Sequence, residues 1–141
     1  MGIFDGCLLA CDIDDTLVKN GYINPKNIEK IHYFISEGGK FALSTGSSAI
    51  AFDDVLKKVS GITHAIVLNG CVIIDYNESK VIYEKKINKD DYRAVIIAMN
   101  SGINVGIEIH TPDNVYTLRR TEKTTLHQDY EGFYSPNVTF E

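Results

Sequence analysis

Residues 7–17 read CLLACDIDDTL. An apolar run ends in Asp12, Asp14 and Asp15, followed by Thr16. Residues two apart in an extended segment project to the same side. The carboxylates of Asp12 and Asp14 therefore face one space, while Ile13 turns into the protein. Two carboxylates so placed repel one another unless a cation sits between them. Hard divalent Mg2+ takes oxygen ligands of this kind and usually arrives with phosphate. The turn Asp15-Thr16 adds backbone N–H groups, the sort of nest an anion occupies. Chemistry on a phosphate ester is what this stretch suggests.

Two further segments point the same way. In FALSTGSS, Thr45 offers a hydroxyl and Gly46 lets the chain turn without a Cβ in the way. Ser47 and Ser48 then open a helix whose N-terminal amides favour a phosphate. Asn69-Gly70 closes the next apolar stretch. Each has an ordinary explanation when taken singly. Acidic turns follow strands, TGSS is a helix cap, and Asn-Gly is a frequent hairpin turn. Asp53 and Asp54 read as first-turn charges on a solvated helix face. Their order at the ends of consecutive strands argues for one site assembled from three loops.

Such a site needs strands that end together. Cys7–Cys11 is short and wholly apolar, which suits a strand covered on both faces. A helix follows, capped by Asn24 with Pro25 at its first position. Ile28, Ile31, Phe34 and Ile35 make its inner face, and Gly38-Gly39 stops it. Lys40–Thr45 is the second strand. A second helix runs from about Ser48, with Ile50, Val55, Leu56 and Val59 inward, and ends near Gly61. HAIVLNG is the third strand, and CVIIDYNESKVIYEKK reads as a hairpin with Asn77, Glu78 and Ser79 near its tip. As far as Tyr83, strand and helix alternate. That predicts parallel strands joined by right-handed crossovers, a doubly wound α/β sheet, whose ligands bind beyond the carboxyl ends of the strands.

The texture then changes. Asn88 can cap a helix through Asn100, with Tyr92, Val95, Ile96 and Met99 on one side and Gly102 as the stop. INVGIEIH alternates strictly, Ile103, Val105, Ile107 and Ile109 pointing one way, as in an antiparallel strand covered on one face. NVYTLRR pairs with it across the turn HTPDN. Two domains are expected, residues 1–84 and an α+β unit in residues 85–141.

Composition excludes some classes. The 141 residues suffice for an ordinary domain with a real core. Apolar and charged fractions of 44% and 23% are those of a soluble globular protein. A net charge of -5 gives no electrostatic reason to expect nucleic acid or an anionic membrane as partner. No apolar run approaches the ~20 residues of a membrane span, and MGIFDG lacks the basic start of a signal peptide. A cytoplasmic protein is expected. Cys7 and Cys11 would lie about 13 Å apart along a strand, too far for a disulfide. With Cys71 they read as reduced core residues, and no Cys/His cluster suggests zinc. His32, His64, His110 and His127 are scattered and read as surface or edge residues.

CLLACDIDDTL resembles the first motif, hhhDxDxT, of the haloacid dehalogenase-like (HAD) phosphohydrolases. FALSTGS resembles their second motif. IVLNGCVII is similar to the NGA.I segment of the Cof-type branch, whose cap is inserted after the third strand. The resemblance covers the chain as far as Tyr83 and implies a Rossmann-like HAD core, incomplete, in residues 1–84, with part of an α+β cap in residues 85–141. It implies that Asp12 is the nucleophile, forming an aspartyl-phosphate, and that Asp12 and Asp14 bind Mg2+. Asp14 would protonate the leaving oxygen and later activate water. Thr45 would hydrogen-bond the transferring phosphoryl group, with Asp15, Thr16, Gly46, Ser47 and Asn69 around it. The polar face of the cap strand, Glu108 for example, would look onto the site.

The expected function is a Mg2+-dependent phosphatase acting on a small phosphorylated metabolite such as a sugar phosphate. The same motifs are compatible with a phosphomutase. A non-catalytic phosphate-binding or assembly module is the alternative from another class. A signalling receiver would need an aspartate after the third strand, where this chain has Asn69. Ser47 stands where the Cof-type motif carries arginine. The family's third-motif lysine and fourth-motif acidic pair have no counterparts. After Asn100 the acids are Glu108, Asp113, Glu122, Asp129, Glu131 and Glu141, none in a GDxxND-like context, and Lys123 is the only lysine. The chain is thus expected to be the N-terminal part of a longer, more active enzyme. Leu8–Cys11 would then be an open sheet edge, prone to pair with another copy.

Overall fold

The computed structural model describes residues 2–139. The chain forms two compact units, Met1–Glu84 and Lys85–Glu141.

The first unit holds β1 (Leu8–Cys11), β2 (Val18–Lys19), β3 (Tyr22–Ile23), α1 (Pro25–Ser36), β4 (Lys40–Ser44), α2 (Asp53–Lys58), β5 (His64–Val67), β6 (Val72–Asp75) and β7 (Lys80–Glu84). Five strands make one sheet in the order β1-β4-β5-β6-β7. β1, β4 and β5 run parallel, and β6 and β7 continue the sheet antiparallel. Parallel neighbours cannot be joined by a tight turn. α1 makes the crossing from β1 to β4, and the segment containing α2 makes that from β4 to β5. α1 starts where the side chain of Asn24 accepts the Lys26 N–H at 3.0 Å, which satisfies one of the helix's orphan donors. Its Ile31 is buried, with Ile28, Phe34 and Ile35 packed beside it. Beneath lie Phe41 and Leu43 of β4, Ala65 and Val67 of β5, and Phe52, Val55 and Val59. At the β6–β7 tip, Asp75 Oδ1 accepts the N–H groups of Asn77 and Glu78 at 2.8 and 3.2 Å, an Asx turn.

Several expectations need correction. β1 is the open sheet edge, as expected, but its faces are not both covered: Leu8 and Leu9 are 67% and 47% exposed. An apolar run says that a strand wants cover, not that the cover is present. The cysteines are free, as expected, but Cys7 and Cys71 are exposed and Cys11 half-buried, so they are not core residues. The second helix begins as a 3-10 turn, Ala49–Phe52, before α2 starts at Asp53. That change of pitch leaves Ile50 exposed and gives its core place to Phe52. The β2–β3 hairpin was not foreseen. Asn20 and Gly21 at its tip both have positive φ, 51° and 72°, the requirement of the primed turn that fits strand twist.

The second unit holds α3 (Lys89–Met99), β8 (Ile107–His110), β9 (Val115–Arg119) and α4 (Glu122–Glu131). Asn88 caps α3 by accepting the N–H groups of Asp90 and Asp91 at 3.0 and 2.8 Å. β8 and β9 are antiparallel across a turn closed by Thr111 N–H to Asn114 O, 2.8 Å. β8 is shorter than the alternation suggested, and Ile103 is 60% exposed. Gly106 explains the late start. A Cβ there would lie 2.2 Å from Thr124 Cγ2, so the chain is pressed against the first turn of α4 and joins the ladder only at Ile107. α4 was not anticipated in a stretch so polar. Thr121 and Thr124 cap each other's backbone at its start, and Gly132 ends it with φ 72°.

Among the described residues, Ile107 and Val115 are the buried hydrophobics of this unit. Its interior is otherwise polar: Thr117, Thr124, Gln128 and Ser135 are all buried. Gln128 Nε2 lies 2.5 Å from Glu108 Oε1, 2.9 Å from Thr117 Oγ1 and 2.8 Å from Ser135 Oγ. Its Oε1 accepts from Arg120 at 3.0 Å. One amide thus ties both strands, α4 and the segment after it. No helix among the described residues is long and apolar enough to cross a membrane.

Candidate active site at the strand ends

β1, β4 and β5 point their carboxyl ends the same way, and register makes those ends neighbours. Cys11 pairs with Leu43, and Ser44 with Ile66. Neighbouring strands lie about 4.8 Å apart, so the loops starting at Asp12, Thr45 and Leu68 leave from adjacent positions. The connections hold one another. Thr45 N–H donates to Ile66 O at 2.9 Å, Asn69 N–H to Thr45 O at 3.4 Å, and Leu68 N–H to Ser47 O at 3.1 Å.

Past β1, Ile13 is 5% exposed while Asp12, Asp14 and Asp15 are exposed. The buried isoleucine anchors the turn and the carboxylates stay at the surface. Thr16 donates its hydroxyl to Asp12 Oδ2 at 2.9 Å, fixing that carboxylate and leaving its other oxygen for an ion or a phosphoryl group. The amides of Thr16, Leu17 and Val18 all converge on the Ile13 carbonyl, at 3.3, 3.0 and 2.8 Å. Of the two amides expected to form an anion nest, Thr16's is therefore already used. Asp15, at φ 55°, retains the amide that can meet an anion. Burial and the charge of Asp12 push the Cys11 thiol up. It stays protonated and donates to the Asp12 carbonyl oxygen at 3.2 Å.

Past β4, Thr45 is 6% exposed and its Oγ1 accepts the Ser47 N–H at 3.1 Å. That bond uses a lone pair and leaves the hydroxyl proton to be donated. Gly46 lies under the Asn69 amide: a Cβ there would come within 3.0 Å of Asn69 Oδ1. Gly46 thus serves by its closeness to Asn69 as much as by its freedom to turn. Ser47 and Ser48 lead into the 3-10 turn, not an α-helix, and Ser48 makes no side-chain cap. Its hydroxyl is buried without a partner among the described residues. Nothing in TGSS distinguishes that serine from its neighbour.

Past β5, the chain makes the hairpin to β6 through Leu68, Asn69 and Gly70, at φ 51°, 54° and 88°. Both readings of Asn-Gly therefore meet in one turn: it closes a hairpin and lays Asn69 over Gly46. A leucine at positive φ is uncommon and costs on the order of 1 kcal/mol or more. Leu68 escaped the sequence reading because what holds it there lies elsewhere in the chain: the core its partly buried side chain packs against, and the Ser47 carbonyl that accepts its N–H at 3.1 Å.

Comparisons with known proteins bear on the family and the fold. The family model described as haloacid dehalogenase-like hydrolase matches residues 9–140. No curated protein matches the chain in sequence. Among solved structures, the HAD subclass IIB sugar phosphatase BT4131 superposes with a TM-score of 0.80 at 22% identity, covering 94% of this chain and 52% of that one. The phosphatase BT1666 from Bacteroides thetaiotaomicron gives 0.75 at 19% identity, covering 97% and 50%. TM0651 from Thermotoga maritima gives 0.76 at 18%, covering 94% and 49%. At these identities the likeness is one of fold, a mixed α/β core. The chain spans about half the length of each of these structures. With its family model matching nearly end to end, the chain belongs to the haloacid dehalogenase-like hydrolases.

Proposed function

We propose that this chain carries the nucleophile half of a Mg2+-dependent phosphatase for a small phosphorylated metabolite. Residues 1–84 are the first part of its catalytic core, and residues 85–141 part of a substrate-selecting cap. The observation that carries the reading is the end of β1: two exposed carboxylates flank buried Ile13, and Thr16 holds one of them in place. The description of BT4131 as a sugar phosphatase supports the substrate class. Free cysteines suit the cytoplasm.

Asp12 attacks phosphorus, and the bond from phosphorus to the leaving oxygen breaks. Asp14 gives that oxygen a proton and then takes one from the water that hydrolyses the aspartyl-phosphate. Thr45 donates to an equatorial oxygen, while Asp15, Gly46, Ser47 and Asn69 bound the space around the phosphoryl group. Charge on those oxygens is where most of the catalysis of phosphoryl transfer arises. Asp12 and Asp14 would hold Mg2+, which when bound neutralises part of that charge. Oxygen donors fit this hard ion. Among the described residues no third His, Cys, Asp or Glu joins them, so water and phosphate would fill other positions.

The test is phosphate release from a panel of phosphate esters with Mg2+, by the protein as its gene encodes it. Turnover should vanish in EDTA and return with Mg2+. Binding of beryllium fluoride without any turnover would leave a phosphate-binding module and sink the enzyme. The 141 residues alone should turn over slowly, for want of further metal ligands.

The open edge of β1 should also pair with another strand, in a second copy when nothing else is offered, because its backbone groups and Leu8 and Leu9 are unprotected. Light scattering on the 141 residues should show a dimer or larger. A clean monomer at high concentration would overturn this.

A further inference from the structure

The second unit gathers titratable groups between the β8–β9 hairpin and α4. The side chains of Glu108 on β8 and Glu131 on α4 are only 10% and 8% exposed. His127 of α4 stands on both: Nδ1 is 2.8 Å from Glu108 Oε2, and Nε2 is 3.4 Å from Glu131 Oε1. His110 of β8 completes the group. Its Nε2 is 3.9 Å from Glu108 Oε2, and its ring centroid is 6.2 Å from that of His127. Two histidines expected to be scattered are therefore neighbours, because the β8–β9 hairpin and α4 pack together. His110 Nδ1 and Glu131 Oε2 are both buried with no hydrogen-bond partner among the described residues.

The two forms of His110 fare differently here. A neutral ring with its proton on Nε2 faces Glu108 and leaves Nδ1 as an acceptor without a donor. A charged ring must also place an N–H on buried Nδ1, where nothing accepts it. An unsatisfied buried donor on a cation costs more than an unused lone pair. The charged groups facing the ring are Glu108, Glu131 and His127. Arg120, just past β9, is turned away onto Gln128, Asn137 and Ser135 and over the Tyr134 ring.

We infer that His110 is an acid-sensitive latch, whose protonation loosens the seam between the β8–β9 hairpin and α4. A charged His110 competes for Glu108, the carboxylate that otherwise ties β8 to His127 and Gln128. Little apolar burial opposes the loosening, since only Ile107 and Val115 anchor this unit by that means among the described residues. Burial pushes His110 below its ordinary value of 6.5; Glu108 and Glu131 offset part of this and His127 adds to it. With the folded value lowered, the unfolded state binds more protons in between. The stability His110 confers is then full above 6.5 and is lost as pH falls through the lowered value. This inference stands whether or not the chain is a phosphatase.

Hydrogen exchange on the full chain, corrected for intrinsic rates, tests it. Between about pH 7.5 and about pH 5.5, amides of β8, β9 and α4 should lose protection severalfold, below the roughly tenfold ceiling set by one proton taken up from 6.5. In His110→Gln, which keeps a polar reach but takes no proton, the loss should shrink to about twofold or less. Unchanged protection in the wild type, or the full loss persisting in the variant, overturns the latch. Should the variant fail to fold, the wild-type imidazole signals decide. His110 should titrate below 6.5, and a midpoint at or above that value refutes the inference.

Discussion

Replacing Asp12 by Asn is expected to remove phosphate release almost entirely, by on the order of 10⁴-fold or more, as loss of a covalent nucleophile does elsewhere. That corresponds to about 5.5 kcal/mol of lost transition-state stabilisation. The reasoning is local. An amide has the shape of the carboxylate and its oxygen can still accept the Thr16 hydroxyl, but it cannot attack phosphorus. Because Asp12 is exposed and outside the core, folding should change by no more than about 0.5 kcal/mol. The measurement is kcat on the best ester of the panel, beside a urea melt. A variant retaining a tenth of the activity would show that another group is the nucleophile.

Phe41→Ala should have the largest effect on stability. Phe41 is 1% exposed in β4, which is hydrogen-bonded on both sides, to β1 and β5. The parallel strands leave no solvent face at this position for the sheet to yield towards. Truncation deletes a ring from a packed interior and leaves a cavity, at about 3–5 kcal/mol. Against a total of roughly 5–15 kcal/mol for a domain, the urea midpoint of the first unit should fall by about 1–3 M. A loss below about 1 kcal/mol would mean that β4 is not the packed centre of this sheet.

Periodicity was a sound guide wherever burial decided the structure. α1 was legible because Asn24 and Pro25 mark its start and Ile28, Ile31, Phe34 and Ile35 its face. The strand ends were legible because apolar runs stop where Asp12, Thr45 and Asn69 begin. Reading failed where the cause lies outside the segment. Nothing in CLLAC says that the faces of β1 stay uncovered. β8 is cut short by Thr124, eighteen residues beyond Gly106 in sequence. α4 has no apolar stripe to betray it, since Gln128 and Thr124 fill its buried positions. The site was half legible for the same reason. Residue types named Asp12, Asp14 and Thr45, whereas the spending of Thr16's amide on Ile13 and the strain at Leu68 appear only once the turns are built.

The polar interior of the second unit has a thermodynamic consequence. Unfolding it would expose little hydrocarbon and many amides and hydroxyls, and these two kinds of surface change the heat capacity of water in opposite directions. Its stability curve should therefore be shallow in temperature, while the first unit, with Phe41, Leu43, Phe52 and Val67 inside, follows the steep dome of an ordinary core. Warming and cooling will shift the balance between the two halves of the chain, and the half that grips Gln128 will be the less sensitive to either.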